Sequence, residues 1–353
     1  MSFNKAHTRY QSLDTQSELN EVRRFIQSAR KELLSDDASL EIIQTHLLLS
    51  IANYSIGDGR DSWRELGTAI LLAVESGLYS EVSLNKSPVE KELCRRIFWT
   101  CFTLDRFLAC GSARPMLIRD EDIFLRLPCP DENFRVSVTD EASFFSPNSF
   151  RSSTSSLGRI SSEMAYIGII SILGSATSYL QTGGVRGDTH FPWHANSKLA
   201  TLRSELAAWH SSVSRQYQGP DTKSLDESQQ QMLFLAMQIY HLIHCLLLRE
   251  FLPIDYQVEN IVGTSPANWQ AETIEQCISH ANEIAHSLQT SQSQVALLPP
   301  FIGYEFYLLI QLIVDFVFSL LRLCIYMGGI GTFQTFLPNR RNISPMSFVH
   351  FWR

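Results

Sequence analysis

Apolar residues recur along this chain at the three-and-four spacing of a helix face, and no useful stretch shows the two-residue alternation of a half-buried strand. The pattern predicts helices over Leu19 to Leu34, Leu40 to Tyr54, Trp63 to Gly77, Cys94 to Leu108, Ile160 to Leu180, Asn196 to Tyr217, Gln229 to Leu252 and Pro266 to Ser287. The breaks between them carry turn chemistry: Ser35-Asp36-Asp37, whose side chains can cap the second helix, the Gly57-Asp58-Gly59-Arg60 turn, and Gly77-Leu78 as a helix C-cap. The fold class expected is all-α, a large multi-helix domain of two packed helical halves with irregular connecting loops. In residue numbers this is a tail over 1–18, a first half over 19–136, a Ser/Pro-rich loop over 137–158, a second half over 159–328 and a C-terminal tail over 329–353.

On a helical wheel the segment from Glu90 onward places Cys94, Ile97, Phe98, Cys101, Phe102, Leu104 and Leu108 in one broad arc. Glu92, Arg95, Arg96, Thr103 and Arg106 fall outside it, as expected of a solvated face. Asp105 breaks the pattern because it lies near the middle of the apolar arc, where an unpaired carboxylate is costly. It needs a partner, and Arg114, held by the turn at Pro115, is the expected one, closing a buried pair between Asp105 and Arg114. The acidic run Asp120-Glu121-Asp122 reads as a cap cluster or a solvated turn balanced by Arg119 and Arg126.

The segment Phe301 to Met327 is long and greasy enough to suggest a membrane span, but it carries Glu305, Asp315 and Arg322. A central Asp alone costs about 3 kcal/mol on insertion scales, so a buried helix and no membrane are expected.

A chain of 353 residues with 44% hydrophobic and 11% aromatic content can bury a sizeable core. A net charge of −7 argues against a dominant nucleic-acid surface, because phosphate binding needs clustered Lys and Arg, and the longest basic runs are pairs such as Arg95-Arg96. The seven cysteines form no CxxC pair or tight cluster, so neither a zinc site nor a disulfide framework is indicated. They read as reduced, mostly buried thiols. The N-terminal residues show no apolar run of signal-peptide length, which leaves the cytosol and nucleus.

Catalytic chemistry finds little support. His241 and His244, one helical turn apart beside Cys245, offer a two-ligand face that nothing completes, so a core or interhelical polar contact is expected there. Asp36-Asp37 and Glu41 lack the spacing that magnesium-dependent helical cyclases need, and capping of the following helix accounts for the pair. No GxSxG elbow or P-loop occurs, so no enzyme activity is expected, and no cofactor is expected in this chain. Aromatics Phe98, Phe102, Tyr304 and Tyr307 are candidate linings of a pocket between two helices, the bland reading being a dry core.

The run Arg95-Arg96, Phe98-Trp99, Leu104-Asp105-Arg106, Arg114-Pro115, Asp120-Glu121-Asp122-Ile123 and Leu127-Pro128 resembles the regulatory domain of fungal zinc-cluster transcription factors, the middle-homology or xylanolytic-activator type. The likeness extends over roughly residues 20 to 330, through Gln44 to Ser50, Trp63, Gly67, Gly77-Leu78, Leu199 to Trp209, Tyr240-His241 and Pro299 to Tyr304. It implies a nuclear transcription regulator whose helical domain senses a small-molecule effector or a partner, in control of a metabolic or secondary-metabolite pathway. The family's six-cysteine DNA-binding cluster has no counterpart in this sequence, so zinc is implied only for that missing element, and DNA contact only if such a cluster precedes Met1. Homo- or heterodimers with related factors are the partners implied. The alternative is a DNA-binding-deficient chain that sequesters or co-regulates a full-length relative.

Overall fold

In the computed structural model, residues 19–33, 39–112, 114–135, 143–146, 160–217, 225–251 and 268–290 are described. Among them the protein is all-α: nine helices and several 3-10 turns, with no strand beyond two isolated bridges, Ser80 to Phe124 and Arg126 to Phe144. The helices are α1 (19–32), α2 (Leu40–Ser55), α3 (Gly59–Glu75), α4 (Pro88–Ser112), α5 (Asp131–Arg135), α6 (Ser162–Gln181), α7 (Lys198–Tyr217), α8 (Glu227–Leu248) and α9 (Trp269–Thr290).

The helix ends follow local chemistry. Ser39 caps α2 by accepting from the Ile42 amide at 3.3 Å; the Ser35-Asp36-Asp37 run expected to do so lies outside the described residues. Asp58 accepts from the Asp61 amide at 3.1 Å, so α3 begins at Gly59, four residues before the Trp63 start expected from the apolar pattern. Helix α4 opens on a reciprocal capping box. The Ser87 hydroxyl faces the Glu90 amide at 3.4 Å, the Glu90 carboxylate accepts from the Ser87 amide at 3.0 Å, and Pro88 fills the first helical position. Gly77, at φ 70°, terminates α3, with the Leu78 amide donating back to the Ala73 carbonyl at 2.9 Å.

The chain divides into two compact units: residues 1–181 with 204–233, and residues 182–203 with 234–353. From the sequence the break between halves is expected at 137–158, much of which lies outside the described residues. Helix α6, which follows that loop, packs on α4 and belongs to the first unit.

In the first unit α2 and α3 form a tight helical pair. The Ser50 hydroxyl donates to the Ser62 carbonyl at 2.9 Å, and His46 lies 2.8 Å from Glu65, which also takes Arg30 of α1. Helix α4 packs on α2, α3 and α6. Fifteen of the 20 residues of α6 are buried, so it has apolar or small residues on all sides, the signature of an interior helix. Trp209 of α7 is fully buried and donates to the Ala165 carbonyl of α6 at 2.9 Å.

In the second unit α8 and α9 pack through Cys245 and Cys277, both buried, and through a Ser287 to Gln238 hydrogen bond of 2.8 Å. Trp269 meets Phe251 and Trp193 edge-on at 4.9 and 5.6 Å between ring centres. Glu250 lies against the 3-10 turn Gly184–Gly187, where a Cβ on Gly184 would fall 2.5 Å from its carboxylate oxygens. By length and apolar composition the stretch Glu227–Phe251 could cross a membrane, but 67% of its most apolar window is buried within the protein, which marks a core helix. The Phe301 to Met327 segment lies outside the described residues.

Candidate functional site

Most of the polar residues that the wheel sets off the apolar arc of α4 are inside the protein, not on a solvated face, while Glu90 and part of Arg96 meet solvent. Glu92, Arg95, Thr103, Asp105 and Arg106 are all at most 2% exposed. The helix is covered on its polar side as well as its apolar one, by a strap made of the two segments that flank it in sequence, around Glu81 before it and from Arg114 to Asp131 after it, and by α6. Two ionic clusters hold that cover in place.

The first lies in the N-terminal half of α4. Arg95 bridges Glu81 and Glu92, while Arg96 reaches Glu92 at 3.0 Å, Asp131 at 2.6 Å and the Cys129 carbonyl at 2.9 Å. Glu92 also accepts from the Cys129 amide at 3.0 Å, so each carboxylate and each guanidinium is shared between helix and strap. Burial alone would raise the Glu81 pKa, but the hydrogen bond and charge of Arg95 outweigh it and hold that carboxyl below its ordinary value. Trp99 ties the same strap by donating to the Arg126 carbonyl at 2.8 Å.

The second cluster surrounds Asp105. Its carboxylate accepts from the Leu117 amide at 3.0 Å, from the Ile118 amide at 3.1 Å and from Arg106 at 2.7 Å. The buried acid is paired, but the expected pair with Arg114 does not form. Arg114 instead donates to the Gly59 carbonyl at 2.6 Å and stacks on Trp63, pinning the turn to the start of α3. Arg106 can serve its own chain neighbour because its guanidinium lies flat on the Phe102 ring, 3.9 Å from the centroid, and reaches both ways. Its other end meets Asp120 at 2.5 Å, and Asp120 in turn accepts from Ser171 of α6 at 2.5 Å. The first acid of the Asp120-Glu121-Asp122 run is thus an internal partner and not part of a solvated turn. Burial raises the Asp105 pKa against the opposing pull of Arg106 and the two amides. The neighbouring Cys101 thiol is pushed up to about 12, chiefly by burial and then by the Asp105 charge, which keeps it protonated and inert.

Against this second cluster lies a half-open cavity of about 580 Å³, bounded by the end of α4, the 115–121 segment and α6. Arg106 and Gly174 form part of its wall, Met116 adds an apolar patch, and Arg119, Glu121 and Ser178 supply polar groups. Gly174 is required by close approach, since a Cβ there would come within 3.2 Å of both Arg106 Nε and Met116 Sδ.

The expected pocket aromatics are placed differently. Phe98 and Phe102 are 1% and 0% exposed and fill the core, with Phe102 edge-on to Trp99 at 5.1 Å; Tyr304 and Tyr307 lie outside the described residues. The cavity is lined by polar side chains that the sequence reading had assigned to turns or had not singled out, Ser175, Ser178 and Gln181 among them. Their spacing along α6 from Gly174, a polar edge on an otherwise greasy helix, was the available signal. In the second unit His241 and His280 approach at 2.8 Å between their Nδ1 atoms, and His244 stacks on His280 at 4.0 Å, an interhelical polar contact as expected.

The profile of the fungal specific transcription factor domain matches residues 1–211, more than half of the chain and the part that builds both ionic clusters and the cavity. The chain belongs to this family. This fungal transcription factor domain is 34% identical over 100 residues to cutinase transcription factor 1 beta of Fusarium vanettenii, covering 28% of the chain and 11% of the relative. It is 23% identical over 300 residues to a Zn(2)-C6 fungal-type transcription factor of Fusarium oxysporum, covering 75% of the chain and 26% of the relative. It is 26% identical over 200 residues to an uncharacterised transcriptional regulatory protein of Schizosaccharomyces pombe, covering 50% of the chain and 29% of the relative. The matched region spans less than a third of each of these relatives. No solved structure matches. The family and these relatives place the domain with transcription regulators and not with enzymes.

Proposed function

We propose that this chain is the effector-sensing regulatory region of a nuclear transcription regulator, with the first unit as the sensor. The observation that carries this reading is the contact between the cavity and the Asp105–Arg106–Asp120–Ser171 relay. A guanidinium that forms part of the cavity wall also holds the 114–123 segment and α6. A molecule seated against Arg106 would bias how tightly these elements are clasped, and a preference for one packing shifts the population of states. The buried relay supplies two discrete arrangements, clasped or released, because a half-satisfied ion cluster in the interior is unstable.

The test is a fusion of the 353-residue chain to a heterologous DNA-binding domain in a yeast reporter strain, with a fluorescent tag to follow its compartment. The reading expects reporter output that differs from the DNA-binding domain alone, changes with carbon or nitrogen source, and loses that response in an Asp120→Asn variant. Output indistinguishable from the DNA-binding domain alone in every medium would sink it.

A further inference from the structure

We infer that the cavity between α4 and α6 takes an uncharged, hydroxyl-rich small molecule of about the size of one sugar ring, and not an anion or a cation. This inference rests on the effector-sensing reading of the same cavity and names the chemistry of what would enter it.

Three observations carry it. The first is an unmet hydrogen bond: Arg106 is 1% exposed, its two terminal nitrogens are taken by Asp105 and Asp120, and its Nε has no partner among the described residues. A donor left unsatisfied in the interior is unfavourable, and an oxygen that displaced its cover would relieve it. A single N–H matches one hydroxyl or carbonyl oxygen, whereas a carboxylate or phosphate is best held by a two-pronged guanidinium edge, and both prongs here are already engaged.

The second is charge balance. The wall carries Arg106 and Arg119 against Asp120 and Glu121, and Asp105 stands behind it, so no net positive field draws an anion. Asp105 and Asp120 are saturated by amides, a guanidinium and a hydroxyl, which leaves no buried carboxylate free for an ammonium group.

The third is shape. Gly174 lies against the buried Arg106 Nε, Ser175, Ser178 and Gln181 follow it on the same edge of α6, and Met116 and Ile118 offer an apolar face. Hydroxyl groups along one edge and C–H groups on the other suit that wall. A volume of about 580 Å³ falls within the usual range for small-molecule sites.

The experiment is isothermal titration of the full 353-residue chain with glucose, glucuronate and glucosamine, three probes of one pyranose ring that are neutral, anionic and cationic. Saturable binding of glucose, with glucuronate and glucosamine weaker by about tenfold or more, is the expected result. Gly174→Ala, which puts a methyl group against Arg106 Nε, should weaken glucose by about tenfold, and the rim variant Glu121→Gln by a smaller factor. Thermal stabilisation that grows without saturation and persists in Gly174→Ala is the general effect of excluded polyols and counts against the site. Equal or tighter binding of glucuronate or glucosamine overturns the charge argument, and no saturable binding of any probe overturns the inference. Either failure leaves the reporter assay free to succeed, so the ligand class and the regulatory role stand or fall separately.

Discussion

The two halves of α4 solve the same problem differently. Near its start, Arg95 and Arg96 share three carboxylates, and two of these, Glu81 and Asp131, keep some access to water. Near its end, the single guanidinium of Arg106 faces Asp105 and Asp120, and the missing cation is replaced by backbone amides and a serine hydroxyl. The Glu81 pKa falls and the Asp105 pKa rises, so a carboxylate is favoured where its partner guanidinium outweighs burial and penalised where burial outweighs its partners. A cluster with spare ionic partners holds a strap in place; one with none to spare can respond to what touches it.

The largest test of that contrast is removal of each central guanidinium. Arg106→Met leaves the buried carboxylate of Asp105 with its two backbone amides alone and takes the guanidinium from Asp120, and should cost about 3–5 kcal/mol in chemical denaturation. Arg95→Met leaves Glu92 paired with Arg96 and Glu81 close to water, and should cost about 2 kcal/mol. Equal losses would erase the distinction between the clusters.

The pH dependence sharpens it. Because the folded Glu81 pKa lies below the unfolded one, its contribution is present above the ordinary carboxylate range and fades as pH falls through the folded value. The stability lost in Glu81→Gln should therefore shrink on acidification. Asp105 has the opposite sign. Its folded pKa is raised, ionisation opposes folding, and the advantage of wild type over Asp105→Asn should widen as pH falls through that raised value. Denaturation midpoints from pH 7 down to the acid limit of folding check both slopes, and parallel slopes would refute the assignment.

Much of the fold was legible because long apolar repeats with caps leave little choice of element. Even Gly77 at the end of α3 was readable as a C-cap, and it makes the third prediction. With φ 70° and a Cβ position only 2.8 Å from the Ser83 Cβ, Gly77→Ala should cost about 1–2 kcal/mol, seen as a lower melting temperature. The ionic clusters were half legible. Asp105 in the middle of an apolar arc announced a buried pair, but the wheel treats every charge off the arc as solvated. It has no means of knowing that a second layer, the flanking segments around Glu81 and from Arg114 to Asp131, covers the other side. Choosing Arg114 over Arg106 followed from the same blind spot, since neighbouring residues point apart on a helix until a ring such as Phe102 gives a long side chain a surface to lie on. The Gly59 carbonyl that Arg114 does engage is 55 residues away in sequence, and nothing local signals it. The smallest predicted effect tests that reassignment. Arg114→Met should cost under about 1 kcal/mol, measured by denaturation, because one partly exposed hydrogen bond and a stacking contact are lost while Asp105 keeps its partners.

The clasp on the Leu117 and Ile118 amides also bears on local opening. Leu117 is 40% exposed and sits in an irregular segment, yet both N–H groups point at a buried carboxylate. Their hydrogens should exchange with solvent as slowly as those of the core helix beside them, since release requires Asp105 to be uncovered. This short surface stretch would then report, proton by proton, on the opening of the interior it covers.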